Sequence, residues 1–296
     1  MSTPDAALGP FLNEVAATYG PEYLHTDPLG EVRRFTDPHD REVAAFLAAG
    51  LAFGRVDGIL LHLRDLWERL DHAPAACVDH WNTRDARRVR GFVHRWVRDD
   101  DLARVLAALG RVRSQHGSLR EAFLQGYSPD DPDLAASLGR FVDTVRGAVR
   151  LGRSRRAPAE TELPRGVRTF FAAPARGGAC KRLNLFLRWM VRPDDGLDLG
   201  WFHPVRPAQL VMPLDTHVAR ISRYLGLSAR RTPDWRMARE ITDALRRFDP
   251  VDPVRYDFAL SRLGILDACP RKRDAHKCRA CSLVTVCTLG RSSRAA

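Results

Sequence analysis

The sequence predicts an all-α fold. Sustained period-2 alternation, the mark of a half-buried strand, is almost absent, while apolar residues recur at helical spacing along most of the chain. Three prolines directly follow a capping side chain, at Asp37-Pro38, Thr232-Pro233 and Asp252-Pro253. Proline at the first helical position lacks only an amide that has no partner within the helix, so each pair marks a helix start. With 296 residues, the chain has enough interior for one large domain or two of ordinary size.

From the N-terminus, a short helix from Pro10 to about Tyr19 precedes an irregular stretch punctuated by Gly20-Pro21 and Asp27-Pro28. After Asp37, Val43, Phe46, Leu47, Gly50 and Leu51 share a helix face, and Ala44, Ala45, Ala48, Ala49 and Ala52 are small enough for close packing. That pattern predicts a central helix, with another from about Val56 to Leu70. Between Asp79 and Leu119 the arginine-rich sequence, with Trp81 and Trp96, predicts a pair of amphipathic helices with solvated arginine faces. Leu134, Leu138, Phe141, Val142, Val145 and Val149 then fall on one face of a helix between Asp133 and Val149. LGRSRRAPAE, residues 151–160, reads as a basic surface linker. ACKRLNLFLRWMVR, from Ala179, predicts a basic amphipathic helix that buries Leu183, Phe186, Leu187 and Met190 and turns Lys181, Arg182, Arg188 and Arg192 toward polar surroundings. MPLDTHVARISRYLGL, from Met212, predicts a further helix capped by Asp215, with Val218, Ile221 and Leu225 as its buried face.

Lys plus Arg exceed Asp plus Glu by 47 to 36, a formal net charge of +11. Such an excess, mostly arginine, suits a nucleic-acid partner; a GC-rich genome that favours arginine also produces it. The first ten residues, MSTPDAALGP, lack the basic and apolar regions of a signal peptide, and no run of about 18 apolar residues occurs. The expectation is a cytoplasmic, nucleoid-associated protein with no membrane segment. Six cysteines in such a chain argue for metal or catalytic use over disulfides.

Four of them, Cys269, Cys278, Cys281 and Cys287, form C-x8-C-x2-C-x5-C within 19 residues. That crowding is a metal-site pattern. Zinc is a candidate, although structural zinc sites more often use two C-x2-C knuckles and only one is present. Cys77 and Cys180 have no partners at metal spacing. The interval PRKRDAHK carries Arg271, Lys272, Arg273 and Lys277, a composition suited to phosphate. Arg176, Gly177 and Gly178 precede the Lys181 helix, and a glycine turn opening a helix offers backbone amides to phosphate.

PLDTHVARISRYLGL resembles the aspartate motif of the helix-hairpin-helix DNA glycosylase superfamily, which includes endonuclease III, the adenine-mismatch glycosylase and the 8-oxoguanine glycosylases. There the aspartate of V-D-T-H or V-D-V-H opens a helix facing the scissile nucleoside, and Asp215 matches it. The superfamily's usual hairpin, L-P-G-V-G-x-K-T-A, is replaced here by APARGGACKR, and Lys181 lies 34 residues before Asp215. That longer interval is similar to the archaeal 8-oxoguanine glycosylase branch. With CKRLNLFLRWMVR and YDFALSRLGI, the whole chain most closely resembles a bacterial family of unassigned function within the superfamily.

The resemblance implies two helical domains flanking a cleft. Residues 35–205 would form a helical bundle with the hairpin and Lys181, while 1–34 and 206–296 would form a domain with Asp215 and the cysteines. It implies catalysis by Lys181 and Asp215 on a damaged base flipped out of double-stranded DNA, with oxidised guanine a candidate lesion and the protein a monomer. Arg176, Gly177, Gly178, Arg182, His217, Arg271, Lys272, Arg273 and Lys277 would contact DNA. Trp189, Trp201, Phe202 and His203 are candidates to stack on the base, with packing in the fold the other reading of each. The four cysteines are similar to the C-x6-C-x2-C-x5-C that holds a [4Fe–4S] cluster in endonuclease III, with zinc the alternative. The rival reading is a non-catalytic DNA-binding helix-hairpin-helix protein with a structural or redox-sensing cluster.

Overall fold

The computed structural model describes residues 7–151, 156 and 158–291. Residues 1–6, and residues 152–155 and 157 of the expected linker, lie outside the described residues. Among the described residues the fold is all-α apart from one small hairpin. After α1 (Leu8–Thr18), α2 (Pro38–Leu51) starts where the sequence places it: the Asp37 carboxylate accepts from the His39 and Asp40 amides, with Pro38 in the first turn. Every residue from Glu42 to Leu51 is buried, so α2 is the central helix. Helix α3 (Val56–Arg69) follows, burying Ile59, Leu60, Leu63, Leu66 and Trp67.

A glutamate inside the central helix needs partners, and it has them. The Glu42 carboxylate accepts from the amides of Leu119 and Arg120 at 2.9 and 2.7 Å and meets Arg113 at 3.1 Å. An anion is favoured at the amide end of a helix, so Glu42 pins the start of the short helix Leu119–Leu124 to α2.

Between Asp79 and Leu119 the expected pair of helices is half right. The second is α4 (Asp99–His116). In place of the first stand a short turn of helix, Thr83–Arg87, and a two-stranded hairpin of β1 (Val93–His94) and β2 (Val97–Arg98), paired Val93 with Arg98 and His94 with Val97. Gly91 and Arg95 both take positive φ, at 79° and 55°, which no helix passing through them would allow.

Helix α5 (Ala135–Gly147) carries Phe141, and α6 (Lys181–Val191) lies along α2. Phe46 of α2 meets Phe141, Phe170 and Phe186 with ring centroids 5.5 to 6.4 Å apart. Beside them, a Cβ on Gly50 would overlap the Phe170 ring, so the helix and the ring depend on that glycine. The C-terminal part contains α7 (Thr216–Tyr224), α8 (Trp235–Arg246) and α9 (Asp257–Ile265). Helix α1 returns to this part: the Tyr256 hydroxyl donates to Asn13 Oδ1 at 3.2 Å. No helix among the described residues is long and apolar enough to cross a membrane.

Two of the three proline-marked starts shift. Helix α8 is capped by Asp234, two residues beyond Thr232, because the carboxylate takes the Met237 amide at 2.7 Å. Helix α9 begins at Asp257, not after Asp252, because the Asp252 carboxylate is already committed to Arg192 at 2.8 Å.

Helix α6 also differs from the amphipathic reading. Leu183, Phe186, Leu187 and Met190 are buried as expected, but so are Arg188 and Arg192, whose polar surroundings are carboxylates rather than water. Arg188 bridges Asp198 at 3.0 Å and Asp257 at 2.6 Å, and Arg192 joins Asp198, Asp195 and Asp252. Removing one member strands the others in a low dielectric. Asp198→Ala should therefore lower the stability by about 3–5 kcal/mol, measured as a fall in the urea midpoint.

Candidate active site

Lys181 is the first residue of α6 and follows Cys180, which holds φ at 48°. A non-glycine residue in that region is a strained conformation of the kind that clusters at functional sites. The Lys181 Nζ donates to the carbonyl of Ala52 at 3.1 Å. Ala52 caps the C-terminal end of α2, the negative pole of that helix, which suits a cation.

Asp215 arrives on a buried extended segment, Leu210–Leu214, fixed in part by the Met212 amide on the Thr242 hydroxyl at 3.0 Å. Its two oxygens divide their work. Oδ1 caps α7, accepting from the amides of His217 and Val218, each at 2.8 Å. Oδ2 faces Lys181 Nζ at 3.8 Å. The side chains are 31% and 17% exposed, so both groups can be reached from solvent.

They meet in a cavity of about 710 Å³, within the range of small-molecule sites. One wall is the segment from Ala52 to Ile59 together with Lys181, Arg182, Leu185 and Arg188; the other is Pro213 to His217 with Asp257, Ser261, Arg262 and Ile265. An amine beside a carboxylate in such a cavity can attack an electrophilic carbon while the carboxylate takes the released proton.

His217 and Arg182 line the same cavity. Burial lowers the His217 pKa, with Asp215 opposing. Its ring lies so close to α9 that a Cβ on Gly264 would come within 2.3 Å of its Nδ1. Arg182 is less available for phosphate than expected: its Nε donates to the Thr169 carbonyl at 3.0 Å, and its guanidinium lies 5.3 Å from the Phe53 ring centroid.

The other expected DNA contacts do not line the cavity. Arg176 pairs with Glu160 at 3.0 Å, and the Gly177 carbonyl accepts the Trp235 amide at 2.9 Å. Arg271, Lys272 and Arg273 are exposed, while Lys277 pairs with Asp267. The proposed stacking residues Trp189 and Phe202 are fully buried in the core, where no base can reach, and neither Trp201 nor His203 lines the cavity.

Residues overlooked in the sequence do reach it. Phe53 lines the cavity and stacks on Trp96 with centroids 4.6 Å apart, and Arg165 covers the far face of the stack 4.3 Å from Trp96. Asp257 and Arg262 line it too, the latter tied to Asp27 at 2.9 Å. A carboxylate inside the apolar run YDFAL was the available signal for Asp257. Phe53 gave none beyond following the central helix.

Cys269, Cys278, Cys281 and Cys287 are free, half-buried thiols. Burial pushes the Cys269 thiol up to about 11, with Cys287 and Cys281 adding to the rise; Cys281 likewise feels Cys287 and Cys278. Four thiols are in chemical kind the donors of a thiolate-bound metal group, and Arg220 Nη1 lies 3.8 Å from Cys269 Sγ. Among the described residues, no three His, Cys, Asp or Glu side chains stand ready to hold a metal ion. Cys77 donates to the Leu70 carbonyl, and Cys180 is buried with its thiol pushed up to about 12 by burial.

A family model described as "Protein of unknown function (DUF2400)" matches residues 27–266, more than half of the chain. The matched span takes in Lys181, Asp215 and Asp257 and ends before Cys269. No curated protein and no solved structure matches the chain.

Because Asp215 is both cap and candidate catalyst, two substitutions separate the roles. Asp215→Ala removes the cap and should cost about 1 kcal/mol. Asp215→Asn can still accept the amides and should melt within about 0.5 kcal/mol of the parent, as measured by thermal denaturation.

Proposed function

As the chain belongs to the DUF2400 family, whose function is unknown, we propose an activity from its own residues: a DNA glycosylase with abasic-site lyase activity, acting on a damaged base. The observation that carries this is Lys181 Nζ 3.8 Å from Asp215 Oδ2 in a cavity roomy enough for a nucleobase. The net charge of +11 and the exposed Arg271, Lys272 and Arg273 support a polyanionic partner. In this reading the segment from Arg165 to Val191 serves as the helix-hairpin-helix element, with its glycine turn toward the backbone of the duplex.

The steps follow from the two groups. The flipped nucleotide enters the cavity. Asp215 Oδ2 stabilises positive charge that develops on the sugar and takes a proton from the Lys181 amine. The nitrogen lone pair bonds to C1′ while the electron pair of the C1′–N bond leaves with the base. The nitrogen lone pair then forms the C1′=N bond as the C1′–O4′ pair leaves with O4′, which takes the proton held by Asp215; this gives an imine on Lys181, and loss of a C2′ proton expels the 3′ phosphate by β-elimination.

The four cysteines are proposed to hold a [4Fe–4S] cluster. Bound there, it would supply a cross-link tying the loop with Arg271, Lys272 and Arg273 to the remainder of the C-terminal part.

Borohydride added to the protein with a duplex containing an abasic site should trap a covalent adduct that Lys181→Ala abolishes. Asp215→Asn should slow base release from a damaged duplex by about 10²-fold or more. DNA binding with neither adduct nor base release across a panel of lesions would favour the non-catalytic DNA-binding reading. Elemental analysis of anaerobically purified protein should find iron with sulfide, lost when Cys278 and Cys281 are both replaced by alanine; zinc alone would refute the cluster.

A further inference from the structure

Asp257 is a carboxylate that the lysine–aspartate chemistry does not use. It is 3% exposed, yet it lines the cavity that holds Lys181 and Asp215. One oxygen, Oδ2, takes Arg188 Nη1 at 2.6 Å; among the described residues, nothing hydrogen-bonds to the other. Charge in the surrounding network is unbalanced. Asp195, Asp198, Asp252 and Asp257 share two guanidiniums, those of Arg188 and Arg192, and Asp198 is held by both. Four carboxylates on two cations favour retention of a proton in the set. Of the four, Asp257 alone lines the cavity. Burial moves its pKa up to about 6, against the pull of Arg188, with Asp215 raising it and Lys181 lowering it.

We propose that Asp257 is the acid of this site, giving its proton to the departing base while Asp215 serves the amine. This rests on the glycosylase reading and narrows its substrates. A base already cationic through alkylation leaves without a proton, so an acid here suits uncharged bases, oxidised or deaminated. As the C1′–N bond breaks, its electron pair stays with the base and the Asp257 proton joins it, giving a neutral free base. The resulting carboxylate is held by Arg188. On the sugar side, Lys181 nitrogen bonds to C1′ and its proton goes to Asp215.

Base release and imine formation can be measured apart. Asp257→Asn and Asp257→Glu are assayed for base release from duplexes containing 8-oxoguanine, uracil or hypoxanthine, and for borohydride trapping on an abasic duplex, where no base has to leave. For Asp257→Asn, release should fall about 10²-fold or more, and at least about tenfold further than trapping falls. Asp257→Glu should recover part of the release. The acid form is the active one, so wild-type release should decline as pH rises above about 6, a limb that Asp257→Asn lacks. Equal loss of release and trapping in Asp257→Asn would make the residue structural and overturn the proposal. So would wild-type trapping with no release from any of the three duplexes, although the amine chemistry would stand. Wild-type protein giving neither adduct nor release would remove the glycosylase reading itself, and this inference with it.

Discussion

The ion-pair network around Arg188 is the constraint on which the site depends. It joins α6, which begins with Lys181, to α9, which begins with Asp257, through a guanidinium that is 2% exposed. Burial alone would disfavour that charge; Asp198 and Asp257 more than reverse the effect. Buried ion pairs are weak sources of stability but demanding in geometry, because any displacement leaves a charge without its partner. The consequence is positional. The helix with the amine and the helix beneath the cavity cannot slide past each other without breaking the network.

Helix ends do the remaining positioning. The Lys181 amine rests on the carbonyl end of α2, and Asp215 sits on the amide end of α7. A cation at a negative pole and an anion at a positive pole are each in the favoured place, and the two ends bring the charges to 3.8 Å. Neither side chain has to be held by its partner. Each is set by backbone, so their approach does not depend on a bond between them. Glu42 uses the same physics far from the cavity, where its carboxylate anchors a helix start to α2.

Local features of the sequence were legible wherever local forces decide. Asp37 and Asp215 read as caps because a carboxylate three residues ahead of free amides has little else to bind, and α2 read as central because its small residues leave no polar face. What failed were side chains claimed by distant partners. Asp252 looks like Asp37 in sequence, but Arg192, 60 residues away, takes its carboxylate. Arg188 was expected in polar surroundings because its helix is amphipathic by pattern, but the carboxylates that supply them come from two other segments. Trp189 and Phe202 looked available, yet core packing absorbed them. The aromatic surface that does reach the cavity, Phe53 on Trp96, is assembled by the hairpin, which helical periodicity does not describe. The amine and the acid were found because each begins a helix; Asp257 was missed because its role comes only from the tertiary charge balance.

The contact between Gly264 and His217 carries its own consequence. Helices α7 and α9 approach until the imidazole fills the place where any side chain at 264 would begin. Position 264 is not free to drift alone. A larger residue at 264 is tolerable only in a chain where 217 has already shrunk, and shrinking 217 alters the cavity wall two residues from Asp215. The pair is therefore epistatic, and substitutions that look harmless one at a time become conditional on their order.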